Sequence, residues 1–225
     1  MGNVIGDILP LAVGVAVSPV PVIALILMLF SKRAKINGSV FALGWVVGIV
    51  VVGVIVLAVS GAGDLSSGGG PSTAASIVQL VLGVLLLLLA VRQWQQRPAP
   101  GQEAAMPKWM RGIEDFTPVK AGGVAVVLAG VNPKNLLLIV GASVTIAQAG
   151  LSGGETAVAF AVFTLIASAT VLVPVAAYLL LGDRATRVLD ELKAWLSQNN
   201  ATVMAVLLLV FGFVLLGKGI GGLTS

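Results

Sequence analysis

One lysine, Lys134, stands deep inside an apolar run, in the tetrad Asn132-Pro133-Lys134-Asn135. An ammonium at that depth can meet an anionic ligand group or exchange a proton, and it can equally donate to backbone carbonyls. The amides of Asn132 and Asn135 can cap helix ends or touch a ligand. Pro133 removes a backbone donor and clashes with the carbonyl four residues back, so it should break its helix in mid-membrane. The first apolar run carries a matching device, Ser18-Pro19-Val20-Pro21. There Pro19 and Pro21 shape the break, and Ser18, opposite Asn132 when the two halves are aligned, is placed to satisfy freed backbone or a ligand. Broken helices at corresponding positions in two halves of a chain point to a transporter binding site.

Other polar side chains in apolar runs are few. Thr164, Ser168, Thr170 and Pro174 lie in the fifth run. Thr164 and Ser168 share a helix face and are candidate substrate contacts, although small hydroxyl residues commonly serve helix packing in membranes. Pro174 predicts a kink. Gly44 and Gly48 form a GxxxG, which serves close packing within the chain or in a homodimer.

The residues that are missing narrow the chemistry. The chain has no cysteine and no histidine, which removes disulfides, thiolate and imidazole metal sites, and the usual acid-base residue. No Asp or Glu falls inside an apolar run, so buried acidic ligands for a divalent cation or a carboxylate proton relay are lacking. A hydrolase would need a nucleophile beside a base, and Lys134 is the only buried base. No catalytic residue, metal or cofactor is expected.

These residues must be positioned by membrane helices. Of 225 residues, 58% are hydrophobic and 10% charged, with mean hydropathy +1.08. Soluble domains carry roughly 25% charged residues, so the composition is that of an integral membrane protein. The net charge of +4 sits in short turns beside apolar runs and does not point to nucleic acid. A span takes about 20 apolar residues. The expected spans are 8–30, 40–60, 74–91, 121–147, 156–181 and 201–217. The first residues lack a positive n-region, and the adjoining apolar run reads as a first membrane helix rather than a cleaved signal.

Orientation follows from the basic residues. Lys32, Arg33 and Lys35 lie in the first connection, Arg92, Arg97, Lys108, Arg111 and Lys120 in the third, and Arg184, Arg187 and Lys193 in the fifth. The second and fourth carry only Asp64 and Glu155. The positive-inside rule places the odd connections in the cytoplasm and both termini outside the plasma membrane, with Lys218 as the exception. Three spans per half is an odd number, so a repeated half must insert upside down. The expected fold is an all-α polytopic membrane protein of six helices. It is built as two inverted three-helix repeats with broken helices 1 and 4. The repeats are residues 1–95 and 118–225, joined by a cytoplasmic linker, 96–117.

Two segments outside the spans have amphipathic spacing. Trp109, Ile113 and Phe116 alternate with Lys108, Arg111, Glu114 and Asp115, which predicts a short helix on the membrane surface. Val188, Leu189, Leu192, Trp195 and Leu196 form one apolar face opposite Arg184, Arg187, Asp190 and Glu191. That pattern predicts an interfacial helix over 183–198, with Asp183 as its N-cap.

The segments SPVPVIALILML (18–29), SKRAKINGSVFALGW (31–45), PKWMRGIEDFTP (107–118) and GVNPKNLLL (130–138) give the chain a family resemblance. It resembles the LysE superfamily of exporters, and more closely the Sap/GAP branch, the sulfolipid-addressing or peptidoglycolipid-addressing proteins of actinobacteria. The resemblance implies a role in moving cell-envelope glycolipids or their precursors across the plasma membrane. By motif, Pro19, Pro21, Asn132, Pro133, Lys134 and Asn135 match the family's central elements. Absence of cysteine departs from the redox members, and absence of buried acids or histidine from the metal-transporting members.

Three functions remain open at this stage. The first is an exporter or flippase of an anionic lipid or glycolipid, with Lys134 meeting the headgroup. The second is an exporter of a small amino acid or similar solute. The third is a scaffold that recruits lipid-synthesis or export machinery without transporting anything. No G-x-x-x-x-G-K-[ST] motif is present, so the first two need a gradient or an energised partner.

Overall fold

The computed structural model describes residues 1–62, 73–97, 110 and 112–224. Among them every regular element is helical. The proline motifs divide two spans. Helix α1 (Gly2–Ala16) is followed by α2 (Pro19–Leu29), and α5 (Pro118–Gly130) by α6 (Pro133–Gln148). Ser18 (φ −121°, ψ 93°) and Asn132 (φ −58°, ψ 120°) both leave the helical region, as residues ahead of a proline are driven to do. The proline then opens the next helix at its first position, where its missing N–H costs nothing. The paired axes bend by 51° and 61°.

The unbroken helices are α3 (Ala34–Ala62), α4 (Thr73–Gln95), α7 (Gly153–Leu181) and α8 (Asp183–Thr224). Each is long and apolar enough to cross a membrane, which makes six spans when each bent pair counts as one. Pro174 lies within α7 without dividing it, because no helix-leaving residue precedes it.

Helix α8 lies along α4, α3 along α5, and α1 against α6 and α7. The α3–α5 contact explains the GxxxG. An added Cβ at Gly44 would stand 2.5 Å from Gly122 O, and one at Gly48 would stand 2.8 Å from Ala129 Cβ. The motif therefore serves packing inside the chain. Trp45, Phe41 and Phe163 fill the interior, while Leu43, Val54, Ile55, Leu88 and Leu165 point outward, as a lipid-facing surface requires.

Two local expectations are corrected. The interfacial helix over 183–198 is not a separate element: it forms the first turns of α8, which continues unbroken to Thr224. No glycine or proline occurs between Arg184 and Phe211 to stop it. Its apolar face is also split. Leu189 and Leu196 are buried, whereas Val188 and Trp195 stay exposed. Helix α8 begins at Asp183 itself, whose side chain lies outside the described residues.

The second correction concerns the linker. Lys108, Trp109 and Arg111 lie outside the described residues, and the segment between them and α5 holds a single 3-10 turn, Ile113–Asp115. Gly112 enters it with φ 77°, which stops an α-helix there, and Ile113 is buried rather than laid on lipid. Asn37 Nδ2 donates to Phe116 O at 2.8 Å and ties this turn to α3.

The sixth crossing is longer than 201–217. Lys193 Nζ sits 5.3 Å from the Phe30 ring centroid, level with the end of α2. Lys218 Nζ pairs with Asp7 at 3.1 Å, level with the second turn of α1. The α8 segment between those levels rises roughly 38 Å at 1.5 Å per residue. It carries the polar run Gln198-Asn199-Asn200 within the crossing. The same ion pair explains Lys218, the one basic residue on the otherwise non-basic side.

Candidate functional site

The site is built on the first break, and its logic is a count of backbone carbonyls. In an uninterrupted helix Val15 O and Val17 O would accept from residues 19 and 21, which are prolines without an N–H. The N–H of Ser18, which would have served Gly14 O, turns instead to Ala16 O at 2.8 Å. Three carbonyls thus lose their helical donors, and buried carbonyls must find others.

Lys134 serves two of them. Its Nζ donates to Gly14 O, to Val17 O at 3.0 Å and to Ser18 Oγ at 2.8 Å. Ser18 Oγ lies 2.6 Å from Val15 O and 3.0 Å from Asn135 Oδ1, and its one proton serves one of these. Thr170, from α7, donates to Ala16 O. Lys134 and Ser18 are each 2% exposed. The ammonium also lies at the C-terminal end of α1, the negative pole of that helix, so its charge meets dipoles rather than a carboxylate.

At the second break the asparagines of the motif bond within the bend itself. Asn132 Oδ1 accepts from the N–H of Lys134 at 3.1 Å and caps α6. Asn135 Nδ2 donates to Leu128 O at 3.0 Å, across the bend. Asn135 Oδ1 also lies 3.0 Å from Ser18 Oγ, which brings the two breaks side by side. Asn132, Lys134, Asn135 and Ser18 converge as one cluster, with Pro19, Pro21 and Pro133 shaping the two bends.

Thr164 and Ser168 are not part of this cluster in the structure. Thr164 Oγ1 donates to Phe160 O of its own helix at 2.9 Å and lines a separate apolar cleft between α3 and α7. Ser168 is fully buried, with no hydrogen-bond partner for its hydroxyl among the described residues. Thr170, six residues beyond Thr164, is the hydroxyl of α7 that reaches the break.

A cavity of about 240 Å³ adjoins the cluster. Arg92, Gln93 and Gln96, at the end of α4, form its mouth on the side of the basic connections, with Asn200 and Met204 of α8 opposite. Asn132, Pro133 and Lys134 also line it. Among the described residues no acidic side chain lines it. Asn200 Oδ1 is buried there without a hydrogen-bond partner among the described residues. Along the first break lies a second cleft, of about 420 Å³, with a wholly apolar surface. It runs past Ser18, Pro19, Val22, Pro174, Leu192 and Leu196.

Sequence reasoning missed Arg92, Gln93, Gln96 and Asn200. The signal was present as a polar face on α4, with Arg92 and Gln96 one turn apart, but it read as a connection. Asn200 fell between the expected interfacial helix, 183–198, and the expected sixth span, 201–217.

Stability does not account for Lys134. Removing it would strand two carbonyls at about 1–3 kcal/mol each. It would also remove a central ammonium that costs about 2.5–3.5 kcal/mol to place at mid-membrane. The two ranges, about 2–6 and about 2.5–3.5 kcal/mol, overlap, so stability by itself does not require a lysine here. Here the chemistry of an ammonium is the better explanation for its presence.

No curated protein and no solved structure matches this chain. One family model does, described as Sap, sulfolipid-1-addressing protein, over residues 8–221. That match covers both breaks, the Lys134 cluster and the full set of spans, and the chain belongs to the Sap, sulfolipid-1-addressing protein family.

Proposed function

We propose that this protein is an exporter or flippase that moves an anionic lipid or cell-envelope glycolipid precursor across the plasma membrane. The observation that carries the reading is the presence of two unlike cavities at the paired breaks. One is lined by Arg92, Gln93, Gln96, Asn132, Lys134 and Asn200, with no acidic residue among those described, and the other, along the first break, has a wholly apolar surface. A lipid needs both surfaces: cations and amides for a charged, hydroxylated headgroup, and an apolar wall for acyl chains. A small hydrophilic solute would have no use for the second. The family's description, which names a sulfolipid, supports the same class.

The basic connections put the mouth of the polar cavity in the cytoplasm, with both termini outside. On the opposite side Gln79 of α4 donates to Thr145 Oγ1 at 3.4 Å and to Gln148 Oε1 at 3.3 Å, which closes that end. These two features support an inward-open state of the proposed transporter. An inverted repeat fits the packing. Exchanging the halves carries the α3–α5 contact onto α7–α1 and α2–α8 onto α6–α4, and it leaves α4–α8 unchanged. Alternating access is then the rocking of one half against the other about the two breaks.

The test is translocation of a fluorescent anionic lipid in proteoliposomes by wild type, Lys134→Met and Trp195→Ala. The transporter reading expects Lys134→Met to lose translocation while Trp195→Ala keeps it. The opposite pattern, with Lys134→Met active in cells and Trp195→Ala inactive, would replace it with a scaffold for lipid-synthesis or export machinery.

A further inference from the structure

Lys134 has three protons to donate, and all three are in use. Two hold Gly14 and Val17, carbonyls that the serine turn and Pro21 leave without helical donors, and the third holds Ser18. Lys134 is also one of the residues that line the cavity beside Arg92. Any anion that reaches Lys134 through that cavity must therefore take at least one proton away from the first break. Headgroup binding and closure of the break compete for one ammonium.

We propose that the cavity beneath Arg92 is a headgroup site in which an oxyanion on a hydroxylated headgroup takes Lys134 from the α1–α2 break and so unlocks that helix. This rests on the lipid-transport reading above and assigns it a trigger. Arg92 is exposed, and among the described residues no carboxylate lines the cavity to neutralise it. Its planar fork suits the first capture of an oxyanion. Gln93, Gln96 and Asn200 supply amide donors and acceptors for hydroxyl groups, and Asn200 Oδ1 has no partner among the described residues.

The exchange at Lys134 is favourable in direction. A hydrogen bond from an ammonium to an anionic oxygen is roughly twice as strong as one between neutral groups, and it replaces bonds to neutral carbonyls. Once Lys134 turns to the anion, Gly14 O and Val17 O are left unpaired in apolar surroundings. That cost falls on the break itself, where α1 and α2 already meet at 51°. Binding energy from the headgroup thereby loosens the joint about which the half must move.

The test uses the full chain in phosphatidylcholine nanodiscs, with hydrogen exchange followed over residues 11–29. The probes are phosphatidylglycerol, which carries a phosphate and free hydroxyls, and inorganic phosphate at matched concentration. Lipid retention is read in parallel by native mass spectrometry. Phosphatidylglycerol should be retained by wild type and should raise exchange around residues 14–22 several-fold. Arg92→Gln should retain less of it and show a smaller rise. Lys134→Met should exchange fast in phosphatidylcholine alone and respond to neither probe. If inorganic phosphate produces the same rise, the trigger is the oxyanion alone and no acyl chain is needed. Retention of phosphatidylglycerol that depends on Arg92, with exchange at the break unchanged, would overturn the displacement of Lys134 while leaving the transport reading intact. Absence of any retention would remove the headgroup site and the lipid reading with it.

Discussion

At the α1–α2 break the loosened carbonyls are closed largely from the other half of the chain, by Lys134 of α6 and Thr170 of α7. At the α5–α6 break Asn132 and Asn135 close the bend from within. The two sites look alike in sequence, each a polar residue ahead of a proline, yet they differ in what holds them. A bond made within one segment moves with that segment, whereas a bond made across an interface depends on that interface. In this comparison the second break is the fixed platform that carries Lys134, and the first is the joint whose bonds depend on the contact between halves.

Lys134→Met cuts the link between the two joints and should have the largest effect. Lipid translocation in proteoliposomes should fall to background, while stability to denaturant changes by no more than about 1–2 kcal/mol, because stranded carbonyls offset the removed charge. A collapse in stability with lost activity would instead make Lys134 a structural residue and erase the contrast. Next in size is Gly48→Leu. It forces a side chain against Ala129 and Val126 O, in the helix that leads into the fixed platform. Overpacking of this kind costs about 1–3 kcal/mol, read as an earlier unfolding midpoint.

Ser18→Ala against Asn132→Ala sharpens the comparison directly. Ser18→Ala leaves a buried carbonyl unpaired at about 1–3 kcal/mol. Asn132→Ala loses a helix cap worth about 1 kcal/mol. Asn132→Ala as the costlier of the two in matched unfolding curves would show that the second break is the more delicate joint. The smallest effect belongs to the peripheral ion pair: Asp7→Asn should shift stability by less than about 1 kcal/mol, and less again at high salt.

Much of this was legible beforehand, and for identifiable reasons. Apolar runs of membrane length and prolines at their centres are local properties, so both broken spans followed from the residues. What was misread depended on neighbours. Residues 183–198 have the amphipathic spacing of a surface helix, and Gln198-Asn199-Asn200 looks like the edge of a span on any hydropathy count. In the folded chain Asn200 of that run faces the cavity beside Lys134, where polar groups are tolerated, so the span extends through it. Thr164 and Ser168 were chosen over Thr170 because spacing along one helix cannot say which face meets α1.

The sequence by itself determined that this is a multi-span membrane protein, where its helices break, and which single cation lies at depth. Those facts follow from hydropathy and from the missing N–H of proline, and neither depends on distant contacts. Only the tertiary structure decided what that cation holds. The acceptors of Lys134 are Gly14, Val17 and Ser18, more than a hundred residues away, and they became acceptors because the first break freed them. Arg92 and Asn200 joined the same cavity only through the packing of α4 along α8. Chain spacing carries no record of such contacts, because they arise where two helix faces meet.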